Sequence, residues 1–536
     1  MAGGRGCNRR QLLGLAGAGA ASASLGSVLS ARNQTLILRA FDSSGSPVAK
    51  EFLATLILVA PDSRPFRVLP KPQPDGSAVV EAPRDRFGLA MVLPVRGFGQ
   101  VYLHADNAGA HYSAAQAGGR ELLLNYEFAR SRAALVRSYL SRGQAEGVRF
   151  SSEVIGRLER GEAALARAKQ AREAAARAGY SDDSLAETMW AGEAAALERA
   201  KYRIGRQGGR PGFLFGAAAF GYAKSEDYAR LYRALFNYAT LPFYRAATEQ
   251  VEGSPDYTNA EAILEKLAGT DILTKGHPLV WFHRAGIPGF LKKKSWEALK
   301  RSCADYILRT VGRFRPRIHA WDVINEAHDW ANELDLTQEQ LLEMTRLAAE
   351  AARAADPTAF RVVNCCLPWG EYAATGRGYA GPFKRPVRTP LEYYRALEDA
   401  RVPYECIGIQ LYYPAQDMLE IERQLERFFA FRKPIHITEL GVPTSNEGIK
   451  PGGPLPYEHV WHGTAWNETT QADWVEQFYT LCYSKPEIEA ISWWTFADGP
   501  RTSNGLVHGD WRPKQSYQRL AGLLASWKTS NPAVRG

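Results

Sequence analysis

The sequence predicts an α/β protein built around a closed (β/α)₈ TIM barrel, preceded by a small β-sandwich-like domain and a helical segment. From residue 212 onward, eight short apolar runs alternate with amphipathic stretches, a pattern typical of parallel strands joined by helices. Residues 33–118 contain short apolar runs separated by turn-forming residues, whereas residues 120–208 are rich in Ala, Glu, Arg and Leu. A chain of 536 residues has room for all three parts.

The first 31 residues resemble an export signal. Arg9 and Arg10 precede an apolar run at 12–29, and small residues at 30 and 31 suit a cleavage site. The paired arginines resemble a twin-arginine (Tat) signal, which is an address for export. We therefore expect a periplasmic or extracellular protein with no membrane association after cleavage. An N-terminal membrane anchor is the alternative, although the run is short for a span of about 20 residues.

The sandwich-like domain, residues 33–118, contains five predicted strands. They lie at 35–38, 52–60, 77–81, 89–95 and 100–104. Gly, Pro, Asp and Ser separate them, as in small antiparallel domains. A carbohydrate-binding module and a plain packing domain are both compatible with this pattern.

The helical segment, residues 120–208, has few Gly or Pro residues and apolar positions at helical spacing. Helices are predicted at 122–142, 151–179 and 184–206. We interpret the segment as a linker or bundle that packs against its neighbours.

The barrel domain is predicted over residues 212–527. Its strands are expected at 213–220, 238–241, 277–282, 319–325, 360–366, 406–412, 435–440 and 490–496, with helices such as 225–236, 295–314 and 337–355 between them. An open doubly wound sheet is the alternative, and it usually carries a Gly-rich phosphate turn after its first strand. The glycines of the first strand region, Gly212, Gly216 and Gly221, do not fit that spacing.

Charge and cysteine content argue against two other classes of protein. The net charge of +9 is spread among mixed Arg, Glu and Ala residues, so a nucleic-acid partner is not expected. The six cysteines form no CxxC pair and no Cys/His cluster with zinc spacing, so we expect neither a metal site nor a cofactor. Cys365 and Cys366 lie in an apolar run and are expected to be buried free thiols.

Two predicted strands end in a glutamate, Glu326 after WDVIN and Glu439 after IHIT. Functional groups of such barrels lie at the C-terminal ends of the strands, so these two side chains are expected to face one another across the mouth. Two carboxyl groups about 5–5.5 Å apart suit retaining glycoside hydrolysis, in which one attacks the anomeric carbon and the other protonates the leaving oxygen.

Several motifs around these strands resemble those of glycoside hydrolase family 10, the β-1,4-xylanases. WDVINE at 321–326 and ITEL at 437–440 resemble the acid/base and nucleophile motifs, GHPLVW at 276–281 resembles the third-strand GHTLVW, GIQ at 408–410 resembles the sixth-strand GxQ, and residues 494–498 resemble the eighth-strand WxxxD. The motifs follow one another in barrel order within residues 212–527, and the resemblance does not extend to residues 33–208.

The resemblance implies roles for five polar residues. Glu326 would be the general acid/base and Glu439 the nucleophile. Asn325 would hold the sugar 2-hydroxyl, and His277 would bond a hydroxyl of the sugar undergoing cleavage. Gln410 would lie near the nucleophile.

Three aromatic residues complete the implied site. Trp281 and Trp494 would form apolar walls against the faces of the sugars. Tyr412 stands where the family usually has a histidine that bonds the nucleophile, and a tyrosine hydroxyl can also donate to a carboxylate.

The second strand departs from the family pattern. Family members usually carry Glu-Asn and a nearby Lys that grip the sugar next to the cleaved one, and here Pro242, Phe243 and Ala246 stand at those places. The usual polar grip is therefore not expected.

The same region offers other contacts. A different sugar could stack on Phe243 or Tyr244, or a charged side group could bind Arg245 or Arg284, which stands where a Gln is usual.

The sequence therefore predicts a retaining β-glycosidase that acts on a β-1,4-linked plant polysaccharide such as xylan. The alternatives are the same mechanism with altered specificity for a decorated xylan or another β-glycan, and a non-catalytic carbohydrate-binding protein. The exact glycan, endo or exo action, the role of the N-terminal parts and the oligomeric state stay open.

Overall fold

The computed structural model describes residues 34–82, 86–113, 119, 121–378, 381–412, 416–447, 460–500 and 502–529. The expected export signal and Cys7 lie outside the described residues. Within them, the chain forms two N-terminal sheets, then three long helices, then a closed barrel.

The two N-terminal sheets share one apolar core. Their strands are β1 (Gln34–Arg39), β2 (Ile57–Val59), β3 (Pro65–Arg67), β4 (Lys71–Pro72), β5 (Ala78–Ala82), β6 (Arg86–Val95), β7 (Gly99–Ala105), β8 (Tyr112–Ser113) and β9 (Glu121–Leu123). One sheet has the order β4-β5-β1-β9, and the other has the order β3-β2-β6-β7 with β8 paired to β6. Leu36 and Leu38 of the first sheet and Leu89 and Met91 of the second are buried in the same cluster.

The predicted strand at 52–60 is wrong over its first part. Residues Lys50–Leu53 form a short helix, α1, and strand β2 begins only at Ile57. The Thr55 hydroxyl donates to the Phe52 carbonyl at 2.6 Å, which favours a turn between the two elements.

Three helices follow the sheets: α2 (Leu124–Ala145), α3 (Ser152–Gln170) and α4 (Ala174–Gln207). The sequence placed the second break near residues 180–183, but it lies at 171–173. Ser181 and Ser184 stay inside α4 because both are fully buried, and the Ser181 hydroxyl donates to the Arg177 carbonyl one turn earlier. Local polarity was therefore a poor guide to where this helix begins.

The remaining strands are β10 (Leu214–Ala218), β11 (Tyr238–Pro242), β12 (Leu273–His277), β13 (Ala320–Asn325), β14 (Phe360–Cys365), β15 (Arg377–Gly378), β16 (Gly381–Pro382), β17 (Cys406–Tyr412), β18 (Ile435–Gly441), β19 (Val460–Trp461), β20 (Thr464–Ala465) and β21 (Ile488–Trp493). Strands β10, β11, β12, β13, β14, β17, β18 and β21 form a closed barrel in this order, and all their neighbouring pairs are parallel. The predicted (β/α)₈ barrel is confirmed.

The helices around the barrel are α5 (Glu226–Leu235), α6 (Arg245–Thr248), α7 (Thr258–Leu267), α8 (Trp296–Phe314), α9 (Gln338–Ala355), α10 (Glu371–Thr375), α11 (Pro390–Asp399), α12 (Met418–Glu426), α13 (Glu468–Tyr483) and α14 (Gln515–Thr529). Side-chain caps fix several starts. The Ser295 hydroxyl accepts from a backbone amide of α8, and Thr337 and Gln340 form a capping box on α9. The helices predicted at 225–236, 295–314 and 337–355 are confirmed to within one residue at each end.

The third barrel strand lies earlier than predicted. It spans Leu273–His277, so His277 is its last residue and not its first. The sequence LTKGH does not resemble a buried strand because it contains Lys275, which is fully buried and pairs with Asp322 at 2.8 Å. Gly276 is required there, since a Cβ at this position would collide with the Trp321 ring.

The N-terminal helices lie along barrel helix α12. The Arg132 guanidinium on α2 donates to both carboxylate oxygens of Asp417, at 3.1 and 2.6 Å. The Tyr139 hydroxyl donates to Glu422 at 2.7 Å, and Glu193 accepts from the backbone amide of Met418 at 3.0 Å. These polar contacts attach the helical segment to the side of the barrel.

Five cysteines lie in the described residues, and all five are free and buried, including Cys365 and Cys366. Over the same part of the chain, no helix is both long and apolar enough to span a membrane.

Candidate active site

Glu326 follows the last residue of β13 and has a positive φ of 57°. Its backbone amide donates to the carbonyl of Asn364 on the next strand, at 2.7 Å. Its carboxylate accepts two hydrogen bonds, from Trp281 Nε1 at 2.8 Å and from Gln410 Nε2 at 3.1 Å. The side chain is therefore held from two sides at the C-terminal end of the barrel.

Glu439 lies within β18, and its carboxylate also has two donors. The Tyr412 hydroxyl donates to Oε2 at 2.7 Å, and Asn364 Nδ2 donates to Oε1 at 3.0 Å. His277 Nε2 lies 3.6 Å from Oε1. These contacts fix the carboxylate with its charge largely shielded from water, since only 6% of the residue is exposed.

A chain of side-chain amides connects the two glutamates. Asn325 Oδ1 accepts from Asn364 Nδ2 at 2.8 Å and from Gln410 Nε2 at 3.1 Å. Asn364 is oriented in turn by the Thr438 hydroxyl, which donates to its Oδ1. Because Asn364 also donates to Glu439 and Gln410 to Glu326, this network fixes the position of one carboxylate relative to the other.

The protonation of Glu326 differs from that of an ordinary glutamate. Burial and then the negative charge of Glu439 raise its pKa to about 7, against the opposing hydrogen bonds from Trp281 and Gln410. Glu326 therefore carries a proton over much of the range below neutral pH. A carboxyl group whose pKa is raised by burial and by a neighbouring carboxylate is suited to act as a general acid.

His277 is oriented by a buried ion pair. Its Nδ1 lies 2.6 Å from Asp322, which also pairs with Lys275. Although burial favours the neutral acid, the charge of Lys275 and the hydrogen bond of His277 lower the pKa of Asp322. The carboxylate therefore accepts the Nδ1 proton of His277, and Nε2 faces Glu439.

Aromatic rings surround His277. Trp494 and Tyr244 lie edge-on to it, with ring centres 5.2 and 5.5 Å away. Tyr244 also lies 5.8 Å from Trp281, and Phe220 contacts both Tyr244 and Trp494. The polar network thus has an aromatic wall on the side of strands β10, β12 and β21.

The structure brings together all the site residues that the sequence singled out: Glu326, Glu439, Asn325, His277, Trp281, Gln410, Tyr412 and Trp494. The Gln410 side chain donates to Glu326, and Gln410 lies beside Glu439 in the register of β17 and β18, so it is near the nucleophile as the resemblance implied. The sequence reasoning missed Asn364, whereas Tyr244, suggested as a stacking surface for a sugar, does lie against His277 and Trp281. Asn364 gave a signal, since it is a polar residue inside an apolar strand, where an amide needs partners.

Two of the alternative sugar contacts are wrong. Phe243 is fully buried between Phe314 and Trp321, so its ring is not available to a sugar. Arg245 is also buried, and it pairs with Glu249 at 2.6 Å. The residues that precede Phe243 and Arg245 in the sequence give no indication that both side chains point towards the surrounding helices.

Among the described residues, no group of His, Cys, Asp and Glu side chains has an arrangement that could hold a metal ion.

The sequence profile described as "Glycosyl hydrolase family 10" matches residues 212–521, which is more than half of the chain. The chain belongs to glycosyl hydrolase family 10. The family resemblance found in the sequence is thus confirmed, over nearly the same residues.

Curated family 10 relatives are distant. "Endo-1,4-beta-xylanase B" of Thermotoga neapolitana is 25% identical over 335 residues, which is 58% of this chain and 88% of that protein. "Endo-1,4-beta-xylanase A" of Phanerodontia chrysosporium is 28% identical over 202 residues, 37% of this chain and 46% of that protein. The chain spans only 35% of the "Endo-1,4-beta-xylanase/feruloyl esterase" of Xylanibacter ruminicola.

Among solved structures, native xylanase 10B from Thermotoga maritima is similar to this chain. The match covers 62% of this chain and 98% of that protein. Its sequence identity is 21% and its TM-score is 0.46.

Apart from Tyr412, the departures from the family 10 pattern lie at or beyond the ends of strands β11 and β12. Pro242 ends strand β11, and Phe243 and Arg245 point away from the barrel mouth, whereas Tyr244 lies against His277 and Trp281. Arg284 is exposed beyond the end of β12. An aromatic ring therefore follows strand β11, where the family usually has a Glu-Asn pair and a Lys, and an exposed cation follows strand β12.

Proposed function

We propose that the protein is a retaining β-glycosidase that hydrolyses a β-1,4-linked plant polysaccharide such as xylan. The observation that carries the proposal is the pair Glu326 and Glu439, which lie at the ends of different barrel strands and are joined by one amide network. A binding protein needs neither a buried acid with a raised pKa nor a second carboxyl group fixed beside it, so the pair favours catalysis over the non-catalytic alternative.

In the first step, Glu439 attacks the anomeric carbon while Glu326 gives its proton to the leaving oxygen. The glycosidic bond breaks, and the sugar becomes an ester of Glu439. Hydrogen bonds from Tyr412 and Asn364 orient the attacking carboxylate. Asn325 holds the 2-hydroxyl of the sugar in this proposal, and His277 binds another hydroxyl.

In the second step, Glu326 acts as a base. Once Glu439 is esterified, its negative charge no longer raises the pKa of Glu326, so the acid becomes a better proton donor and then exists as a carboxylate. That carboxylate removes a proton from water, the water attacks the anomeric carbon, and the ester bond to Glu439 breaks. Two inversions give net retention.

A nucleophile trap tests the reaction class. An activated 2-fluoro glycoside should label Glu439 covalently in the wild-type chain, as seen by peptide mass spectrometry. The matched control is Glu439→Gln, which keeps the shape of the side chain and should not be labelled. Labelling of another residue, or no labelling together with measurable hydrolysis, would exclude the proposed mechanism.

For the substrate, we infer a decorated β-glycan rather than a linear xylan. Pro242, Phe243 and Ala246 cannot supply the usual side-chain hydrogen bonds, and each sugar hydroxyl left without a partner costs about 1–3 kcal/mol. Tyr244 offers an aromatic contact instead, and the exposed Arg284 offers a positive charge to an acidic side group.

The specificity test compares kcat/KM for linear and decorated oligosaccharides of equal backbone length. We expect the decorated series to be hydrolysed faster. In Arg284→Met, substrates with acidic side groups should lose rate while neutral ones do not. Clear preference for linear xylo-oligosaccharides would instead support an ordinary xylanase.

We also propose that the protein is exported as a folded chain to the periplasm or beyond. Arg9 and Arg10 ahead of the apolar run at 12–29 support this location. Replacing both arginines by lysine should leave the protein in the cytoplasm, as measured by cell fractionation. Export that is unaffected by this change would argue against a twin-arginine signal.

A further inference from the structure

A cavity of about 240 Å³ lies between the N-terminal region and the side of the barrel. Its walls come from β2, β6 and β7, from helix α2, and on the barrel side from helix α12 and the segment leading into α10. Barrel helices pack outside the strands, so the cavity lies outside the barrel wall. None of the eight candidate active-site residues lines it.

The size of this interdomain cavity suits one small molecule. It is far larger than the roughly 10–15 Å³ that a single water needs. It is smaller than the pockets of about 300–1,000 Å³ that take drug-sized ligands. A single sugar ring or a molecule of similar size lies between these limits.

Two ion pairs in the cavity walls are already satisfied. Arg132 of α2 pairs with Asp417 at the start of α12, and Arg423 donates to both oxygens of Glu420 at 2.8 and 2.7 Å. These pairs join the walls and neutralise one another. They therefore leave no net charge to attract an ion.

Two further charged groups in the walls are not paired in this way. Glu371 is 7% exposed, and no side chain in the described part of the protein donates to its carboxyl group. Burial raises its pKa to about 7. Arg427 has no carboxylate partner among the described residues and makes only long contacts, at 3.4 and 3.3 Å, to the carbonyls of Gln424 and Pro368.

Two neutral polar side chains in the walls each have one atom without a hydrogen-bond partner among the described residues. Gln424 is 2% exposed, and within the described residues its Oε1 accepts no hydrogen bond. His104 Nε2 makes none there either, although Glu420 lies 3.4 Å away. Buried polar atoms are normally satisfied, so these groups indicate an absent partner. Trp369 adds an aromatic surface to the same cavity.

The chemistry of these groups selects an uncharged polyol. The Arg427 guanidinium can only donate hydrogen bonds, whereas the side-chain Oε1 of Gln424 can only accept them. A hydroxyl group can bind to both. A free anion would face Glu371 and Glu420, and a free cation would face Arg427. We propose that this cavity is a second binding site, for a small uncharged polyol the size of a monosaccharide, with Trp369 covering one face of the ring.

Ligand-observed NMR with D-xylose, on the full chain, tests the proposal. Binding should weaken at least tenfold in Arg427→Met and in Trp369→Ala. It should be unchanged in Arg353→Met, an exposed arginine on α9, and in Glu439→Ala. Glu439→Ala is expected to have no turnover, so D-xylose binding measured in this variant tests the second site separately from the proposed glycosidase reaction.

The other outcomes overturn the proposal. Absence of D-xylose binding, or binding lost in Glu439→Ala and retained in Arg427→Met, would mean that the cavity holds only water. Tighter binding of D-glucuronate than of D-xylose would exclude an uncharged ligand. Thermal unfolding of each variant checks that it is folded, and Glu371→Gln, which keeps the side-chain shape, provides a further variant that should weaken binding if the assignment is right.

Discussion

Tyr412 donates its phenol hydrogen to Glu439 across 2.7 Å, at a position where family 10 sequences usually have a histidine. Burial, followed by the charge of Glu439, raises the pKa of Tyr412 well above its usual value, so the hydroxyl stays protonated. Unlike a histidine, it cannot become positively charged. The nucleophile is therefore oriented by a neutral donor whose hydrogen bond does not vary with pH in the working range.

Tyr412→Phe removes this hydrogen bond to Glu439 and keeps the aromatic ring. A hydrogen bond to a charged group contributes about 1.5–3 kcal/mol, so kcat/KM should fall about 10- to 100-fold. Tyr479→Phe is the matched control, since the Tyr479 hydroxyl is buried and has no hydrogen-bond partner among the described residues. Equal loss of activity in the two variants would indicate a general packing effect.

Glu326→Ala should affect substrates according to their leaving groups. Natural glycosides need a proton on the leaving oxygen, whereas aryl glycosides with acidic phenols need little help. The glycosylation rate should therefore fall most for poor leaving groups, as measured by pre-steady-state kinetics across a series of phenols. A uniform loss over the series would remove Glu326 from the role of general acid.

The pH dependence follows from the pKa of Glu326, which is raised to about 7. The free enzyme needs this group protonated, so kcat/KM should decline as the pH rises above about 7. The Trp281 indole N–H stabilises the carboxylate form, so Trp281→Phe should raise the pKa and move the alkaline limb to higher pH. The Trp494 ring packs on His277 and does not bond Glu326, so Trp494→Phe should leave the alkaline limb at the same pH. Movement of the limb to lower pH in Trp281→Phe contradicts the assignment.

The buried pair Lys275 and Asp322 should be important for stability as well as for orienting His277. Lys275→Met leaves an unpaired charge in the barrel interior and should cost about 3–5 kcal/mol of unfolding free energy. In the double variant Lys275→Met/Asp322→Leu, part of that loss should be recovered. Denaturant unfolding measures the unfolding free energy of Lys275→Met, of Asp322→Leu and of the double variant. If the double variant loses as much unfolding free energy as the two single variants together, the residues act independently.

Much of the barrel could be predicted because its strands and helices follow simple periodicities. The strand at 406–412 is reproduced residue for residue, and seven of the eight strands overlap their predicted positions by most of their length. Glu326 and Glu439 could be predicted because both lie towards the C-terminal ends of predicted strands, within motifs that resemble those of family 10. These signals are local, and a single sequence contains them.

The errors in the barrel have one physical cause, which is tertiary contacts that override local pattern. Strand β12 was misplaced because Lys275 is buried only through its partner on another strand. Phe243 was offered as a sugar platform, and the fold uses it as a core residue under helix α8. Asn364 was overlooked since its role depends on Asn325 and Glu439, which are far away in the chain.

The proposed reaction requires that Glu439 form a covalent bond with the sugar, and azide rescue of Glu439→Ala is the most direct test of this bond. The variant should have no measurable turnover with natural substrates, since no glycosyl ester can form. Added azide should restore cleavage of an activated aryl β-glycoside and give the α-glycosyl azide, identified by NMR, because a single displacement inverts the anomeric centre. Near-normal hydrolysis by Glu439→Ala without azide, or a β-configured azide product, would contradict the account.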